Sequence, residues 1–427
     1  MVPDIVNTDC DALVVGGGPA GATAAFTLAQ AGLSVTLIEA CKVPRAKLCG
    51  GLLTAKTLSL LQQSLSITSQ DIIASGAHES TAHRYCIYSR SKLLVSGRYP
   101  QAFTFIRRAA FDAFLLERAK KAGVHVLDNL RVNHVDAASG EVRCANGQQQ
   151  KAKYVIGADG AHSIVRRNIS AFRRVMRRTT ARTIEVRIPH RQWKAAAFPS
   201  VHLGWLKQGY AWAFPNRSHV VAGMGGIMQQ GENLSHLMRQ FLQEQKVVGA
   251  YPEFAGAALP FGGHLRAPVH GKAMLVGDAA GFADSVFGEG VYYAILSGLL
   301  AAKAILKAQK YIKVQSIKDG VQETDSLESV RRQAVVKGSI AEAPEPCRAV
   351  CGENGVANSM YRKMIASPVV KELDRAAMLS RFVYHRAKGP DRFAVKCFLK
   401  LAHGRLLRHL HKEDTHVRKL LSSEQIW

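Results

Sequence analysis

The sequence predicts an α/β fold organised on a parallel sheet, and three observations carry this. Residues 11–40, DALVVGGGPAGATAAFTLAQAGLSVTLIEA, read in order as strand, glycine turn, helix, strand and acid. Two later segments each place a carboxylate beside glycine just past an apolar strand: Asp159-Gly160 and Gly277-Asp278. The last 68 residues are basic and helical in pattern. Within the first segment, Ala12 to Val15 form the strand. Gly16, Gly18 and Gly21 follow in G-x-G-x-x-G spacing, where missing side chains allow a tight turn, close approach of the backbone to a pyrophosphate, and close helix-to-strand packing. Pro19 suits the first helical turn, and with Ala20 it is a candidate cofactor contact. The helix ends near Gly32, Ser34 to Ile38 form the next strand, and Glu39 stands where a carboxylate accepts hydrogen bonds from ribose hydroxyls.

The segment YVIGADGAHSIVRR, residues 154–167, follows a hairpin whose turns are marked by Ser139-Gly140 and Asn146-Gly147. Further on, MLVGDAAGFADSVFGEGVYYAI, residues 274–295, carries a second glycine pair, Gly288 and Gly290, ahead of an alanine-rich helix. Glycine is expected where backbone passes close to a ligand. Read without any relative, Asp159 and Asp278 also fit as plain helix caps.

These motifs resemble those of the group-A flavoprotein hydroxylases and their relatives. The resemblance implies a Rossmann-like FAD-binding domain of the p-hydroxybenzoate hydroxylase type, an inserted antiparallel-sheet substrate domain and a helical C-terminal extension. It also implies that Asp278 binds the FAD ribityl chain, that Asp159 with Gly160 lies near the pyrophosphate and nicotinamide path, and that Arg108, in FIRRAAFDAFLLERA, contacts FAD. Two further strings, PRAKLCGGLLT at 44–54 and GYAWAFPNRSHVVAGMGG at 209–226, resemble the geranylgeranyl reductases and wider FAD-dependent isoprenoid reductases. Four motifs occur in that family's order from the N-terminus to Lys307.

The expected chemistry is reduction of an isolated C=C bond in a prenyl or other lipid-like substrate. Such a reaction needs a hydride from flavin N5, a proton source for the other carbon, and a dry apolar pocket. Cys49, beside Gly50 and Gly51, is expected to approach the flavin ring and donate or orient the proton, with Lys47 favouring a nearby anion. Tyr210, Trp212 and Phe214 alternate along a strand and present one aromatic face; alternation alone fits a sheet core as well as a substrate wall. NADPH and ferredoxin both serve as expected electron donors. A flavin halogenase or monooxygenase is the alternative enzyme, since GYAWAFP loosely resembles a halogenase string; Cys49 and Gly288-Glu289-Gly290 favour the reductase.

Eight cysteines show no paired zinc spacing, and Cys347 and Cys351 are separated by three residues rather than two. No metal site is expected. The N-terminus lacks a basic region followed by an apolar one, so a cytoplasmic location with reduced thiols is the expectation. No uninterrupted apolar run reaches bilayer length; the longest, 291–302, is expected to stop at Lys303 as a buried helix. Net charge is +25. Residues 165–191 hold nine arginines and one acid, and residues 360–427 hold fifteen Lys or Arg against six acids. Such clustering implies an acidic partner. Among partners, an anionic membrane met by an amphipathic basic segment at 393–411 suits a lipid-handling enzyme best, with peripheral membrane contact as the consequence; a solvated basic surface with no particular partner fits the same charge equally well. An acidic electron-transfer protein comes next. Nucleic acid, which would make the chain chiefly a binding protein, comes last because no nucleic-acid module accompanies the charge.

The resemblance implies a discontinuous FAD domain at 1–76, 105–167 and 264–307, and a substrate domain at 77–104 and 168–263. Residues 309–358, with balanced charge and lower apolar density, are expected as an insertion or mobile loop. Residues 360–427 are expected as a basic helical region.

Overall fold

The computed structural model describes residues 10–173, 179–195, 198–318 and 353–386. The glycine-loop unit forms as expected: strand Cys10–Val15, helix Pro19–Gln30 with Pro19 at its first position, and strand Val35–Ile38. These strands lie inside a parallel run ordered Ala273–Leu275, Gln149–Gly157, Cys10–Val15, Val35–Ile38 and His125–Leu127. Its central members are almost wholly buried, and where both faces of a parallel run are covered, continuous apolar runs are favoured over alternation. A hairpin, Val132–Asp136 with Glu141–Cys144, extends from Gln149–Gly157 through turns at Gly140 and Gly147, both with positive φ.

The helix Val291–Lys318 packs on Pro19–Gln30 so closely that a Cβ on Gly298 would sit 2.3 Å from the Ala20 carbonyl oxygen. Small residues on both helices permit that approach. The helix corrects two expectations. Lys303 does not end it: Val291–Gln315 is long and apolar enough to cross a bilayer by length and composition, with mean hydropathy 1.4, yet 72% of its apolar window is buried inside the protein. It also runs ten residues into the segment expected as a loop. Chain beyond Lys318 lies outside the described residues until a helix resumes at Glu353–Ile365.

A second sheet stands beside the first, ordered Ala255–Pro260, Thr180–Pro189, His219–Gly226, Gly209–Pro215, Ser200–Leu203, His78–Ser89, Lys92–Ile106 and Leu52–Leu53. It is antiparallel except where Ser200–Leu203 runs parallel to His78–Ser89. One face is covered by helix Leu234–Glu244, whose Met238, Phe241 and Leu242 pack on Ile188, Ala211, Ala213, Val220 and Met224. Asn233 caps this helix by accepting from the His236 N–H.

At the C-terminal end, Glu353–Ile365 passes through a single wide π turn, Ala366–Lys371, into Glu372–Arg386. Pro368 sits in that turn and lacks the N–H a regular helix would use there. The segment is anchored to the parallel sheet: buried Tyr361 donates to the Leu275 carbonyl at 3.0 Å, and Tyr154 donates to Glu353 at 2.6 Å. The amphipathic stretch expected at 393–411 lies outside the described residues.

Candidate functional site

A cavity of 1490 Å³ lies between the two sheets and is floored by the glycine loop. It exceeds the roughly 300–1,000 Å³ of a usual small-molecule site. Gly16 adopts φ +105°, and a Cβ there would sit 2.4 Å from the Ala158 carbonyl oxygen, so only glycine lets this turn close. Gly18 caps the following helix with no side-chain hydrogen bond, leaving the first-turn N–H groups open toward the cavity. That is a ready anion site. Pro19 and Ala20 also line the cavity. Gly21, expected among the cofactor contacts, does not: a Cβ there would lie 1.9 Å from the Gly16 carbonyl oxygen, so its part is helix-to-strand packing.

Glu39 is buried at the end of its strand. Its Oε2 accepts from the Gly17 N–H at 2.8 Å and its Oε1 from the Cys41 N–H at 3.1 Å, with Arg45 Nε 3.1 Å from Oε1. Arg45 in turn lies 3.5 Å from Asp112, which takes a two-pronged bond from Arg108 at 2.8 and 3.0 Å. Burial opposes the charge of Arg108, yet Asp112 and the Cys49 thiol hold its pKa above the ordinary guanidinium value. Arg45 and Asp112 were not singled out in the sequence. Asp112 follows Arg108 by four residues on a helix, a spacing that signals a pair.

Asp159 combines the two readings open to it. Its Oδ2 accepts from the N–H groups of Ile164 and Val165 at 2.6 and 3.2 Å, capping the short helix Ile164–Asn168, while the residue and Gly160 also line the cavity. Its Oδ1 is buried with no partner among the described residues, and burial raises its pKa. Asp278 lines the same wall after strand Ala273–Leu275. Burial raises its pKa, against the charges of Lys47, Arg108 and Arg166. Arg166, counted above in the basic cluster, is buried instead: it donates to the carbonyls of Ala279 at 2.8 Å and Ala161 at 2.6 Å, tying the Asp-Gly and Gly-Asp segments together.

The Cys-Gly-Gly string and the aromatic strand meet across the cavity. Tyr210, Trp212 and Phe214 all line it, while the intervening Ala211 and Ala213 enter the core behind the sheet. Gly51, at φ +79°, packs on the Ile106 carbonyl, and its N–H points at the Cys49 Sγ, 3.4 Å away. Cys49 is half-buried and lines the cavity with Lys47. Tyr210 donates to the Phe287 carbonyl, and burial, then Asp284 and Cys49, push its pKa upward. Gly288 lies under the Tyr210 hydroxyl, and Gly290 beside Asp278.

Two groups of wall residues were missed. Glu289, quoted in the sequence only for its glycine neighbours, accepts from Thr54 at 2.6 Å and pairs with Lys56 at 2.8 Å. Lys56 sits over the rings of Tyr292 and Tyr293, 4.3 and 4.9 Å from their centroids. The second group is Glu372, Ala376, Leu379 and Val383, from the C-terminal helix. Tyr293 donates to Glu372 at 3.0 Å. With Ala181, Val201, Leu259 and Phe261 this helix closes an apolar arm of the cavity. Its basic composition points to surface, and only packing reveals the buried face.

A family model described as FAD binding domain matches residues 9–212. Geranylgeranyl diphosphate reductase of Arabidopsis thaliana is 30% identical, over 72% of this chain and 68% of its own length. The enzyme of the same name from Rhodobacter capsulatus is 30% identical, over 72% and 78%. Digeranylgeranylglycerophospholipid reductase of Methanothrix thermoacetophila is 25% identical, over 77% and 84%. Among solved structures, a geranylgeranyl bacteriochlorophyll reductase-like protein of Thermoplasma acidophilum superposes with TM-score 0.61 at 19% identity, covering 95% of this chain and 99% of its own. A p-nitrophenol 4-monooxygenase of Pseudomonas putida superposes at 0.65 with 16% identity, covering 97% and 99%. These structures share the fold. With its glycine loop, Cys-Gly-Gly string and aromatic strand around one cavity, the chain belongs to the geranylgeranyl reductase family of FAD-dependent oxidoreductases.

Proposed function

We propose that this oxidoreductase reduces C=C bonds of a prenyl or other lipid-like substrate. One observation carries the reading: a single cavity runs from the uncapped helix at Gly18 and the buried Glu39, past Cys49, into an apolar arm under the C-terminal helix. The residues fit FAD. Backbone N–H groups at Gly18 suit a pyrophosphate, Glu39 suits a ribose, and Arg108, Asp159, Asp278, Gly288 and Gly290 border the remaining length. When bound, FAD in its reduced form would supply a hydride to the alkene.

The chain's own residues would do the rest. Cys49 Sγ, which lines the cavity with Arg108, would hold the proton that the second alkene carbon takes. Lys47 would keep positive charge near that end of the cavity. Tyr210, Trp212 and Phe214 would exclude water and orient the chain, and Leu379, Ala376 and Val383 would cover its tail. Either NADPH or an acidic protein such as ferredoxin would supply electrons. The FAD-binding part would comprise residues 1–76, 105–167 and 264–307, and the substrate part 77–104 and 168–263. Net charge of +25 supports peripheral contact with an anionic membrane, testable by salt-sensitive pelleting with anionic liposomes.

The deciding experiment is anaerobic reoxidation of dithionite-reduced holoenzyme on adding a geranylgeranylated lipid or geranylgeranyl diphosphate, followed in the visible flavin bands. Return of the oxidised spectrum without oxygen is the expected result. Flavin that stays reduced with every prenyl compound and reoxidises only in air would overturn the reading in favour of a monooxygenase or halogenase. Cys49→Ala should keep FAD and lose turnover.

A further inference from the structure

The two longest strands of the second sheet, His78–Ser89 and Lys92–Ile106, place Arg84 directly opposite Arg98. Like charges opposed across an antiparallel pair repel, and a fold with no use for them has little reason to set them there. No carboxylate among the described residues lies within ion-pair distance of either guanidinium. Both side chains are exposed, and with His83, Phe198 and Pro199 they line a separate recess of 370 Å³. Arg84 lies over the Phe198 ring, 5.6 Å from its centroid, which holds one guanidinium at the recess.

The recess adjoins the main cavity. Pro199 lines both. Strand Ser200–Leu203 pairs with the Arg84 strand only from Cys86 onward, so among the described residues no third strand flanks its edge below Cys86. Tyr85, beside Arg84, and Phe103, paired with Ala82, line the apolar arm. Tyr85 and Arg84 are consecutive on the strand and face opposite sides of the sheet, so an amphiphile lying in the arm would reach the two guanidinium groups by passing the strand edge beside Pro199.

We propose that Arg84 and Arg98 form an anion subsite for the phosphate or diphosphate group at the polar end of the substrate. This rests on the prenyl-substrate reading above. Guanidinium forks match phosphate oxygens two at a time, and an anion between two opposed arginines turns their repulsion into attraction.

The test uses the holoenzyme and the Arg84→Gln/Arg98→Gln double variant. Inorganic pyrophosphate binding is measured by calorimetry. KM is measured with geranylgeranyl diphosphate, a digeranylgeranyl glycerophospholipid and the uncharged alcohol geranylgeraniol. Expected are at least a tenfold loss of pyrophosphate affinity and a tenfold rise in KM for whichever phosphorylated compound is the substrate. The arm that rises tells diphosphate from phospholipid. KM for the alcohol, kcat and FAD content should stay within about twofold, and the thermal midpoint should be unchanged or higher because a repulsive pair is gone. Unchanged pyrophosphate affinity and unchanged KM for both phosphorylated compounds would overturn the subsite while leaving the prenyl reading standing. Pyrophosphate binding lost in the variant, with no prenyl compound reduced by either protein, would sink the prenyl reading and keep the anion site.

Discussion

Gly50 and Phe214, 164 residues apart in sequence, are in such close contact that a Cβ on Gly50 would lie 2.7 Å from the ring's Cε2. The Trp212 Nε1 would be 3.4 Å from the same atom. The strand side chains thus set how near the Cys-Gly-Gly loop comes to the cavity. Gly50→Ala is expected to push the loop away from the aromatic wall and displace Cys49. A misplacement of about 1 Å costs roughly 100-fold in rate, so kcat should fall by about that factor with FAD content retained. Full turnover in this variant would show that the loop's position is immaterial.

Glu39 holds the Gly17 and Cys41 N–H groups and Arg45 with one carboxylate. Hydrogen bonds to a charged group contribute roughly 1.5–3 kcal/mol each. Glu39→Ala should therefore weaken FAD retention by ten- to a hundredfold, read as flavin released on ultrafiltration. Asp278→Ala should act in the same direction.

Lys56 and Glu289 are about one-fifth exposed and 2.8 Å apart. Removing one partner of such a pair leaves the other charge buried, at roughly 3–5 kcal/mol. Lys56→Met should lower the denaturation midpoint accordingly, and adding Glu289→Gln should recover part of the loss. Equal midpoints for wild type and Lys56→Met would mean that the pair contributes nothing.

Glu185 is a buried carboxyl whose Oε2 has no partner among the described residues. Burial raises its pKa from 4.5 to about 7, Arg187 opposing. The folded state therefore binds its proton more tightly than the unfolded state, and the stability this contributes is full below about pH 4.5 and lost as pH rises through 7. Glu185→Gln should match wild type near pH 4.5 and exceed it by about 3 kcal/mol near pH 8. His202 slopes the other way: burial lowers its pKa to about 4, so its contribution is full above 6.5 and lost as pH falls through 4. Stability of the Gln variant relative to wild type, measured by urea titration at both pH values, checks the sign.

Local patterns were legible wherever one short stretch does a whole job. The strand-glycine-helix-strand-acid order around Gly16 and Glu39 implies its own βαβ geometry, since the turn needs glycine wherever a side chain would strike backbone. The alternation of Tyr210, Trp212 and Phe214 implies a shared face. It does not say which face meets a ligand; the core behind Ala211 and Ala213 decides that.

The sequence by itself determined the βαβ unit, the carboxylate-glycine pairs at strand ends and the flavoprotein family, because each motif is a short contiguous string whose local geometry its own residues impose, and the family follows from the order of those strings. Only the tertiary structure decided the Arg45–Asp112 link, the Lys56–Glu289 pair, the burial of Arg166 and the cavity wall made by Ala376, Leu379 and Val383. The physical reason is burial. Whether a charge is solvated, paired or turned inward depends on which distant element lands on it, and residues 353–386 reach the cavity only because Tyr361, Glu353 and Glu372 dock them onto the body of the protein.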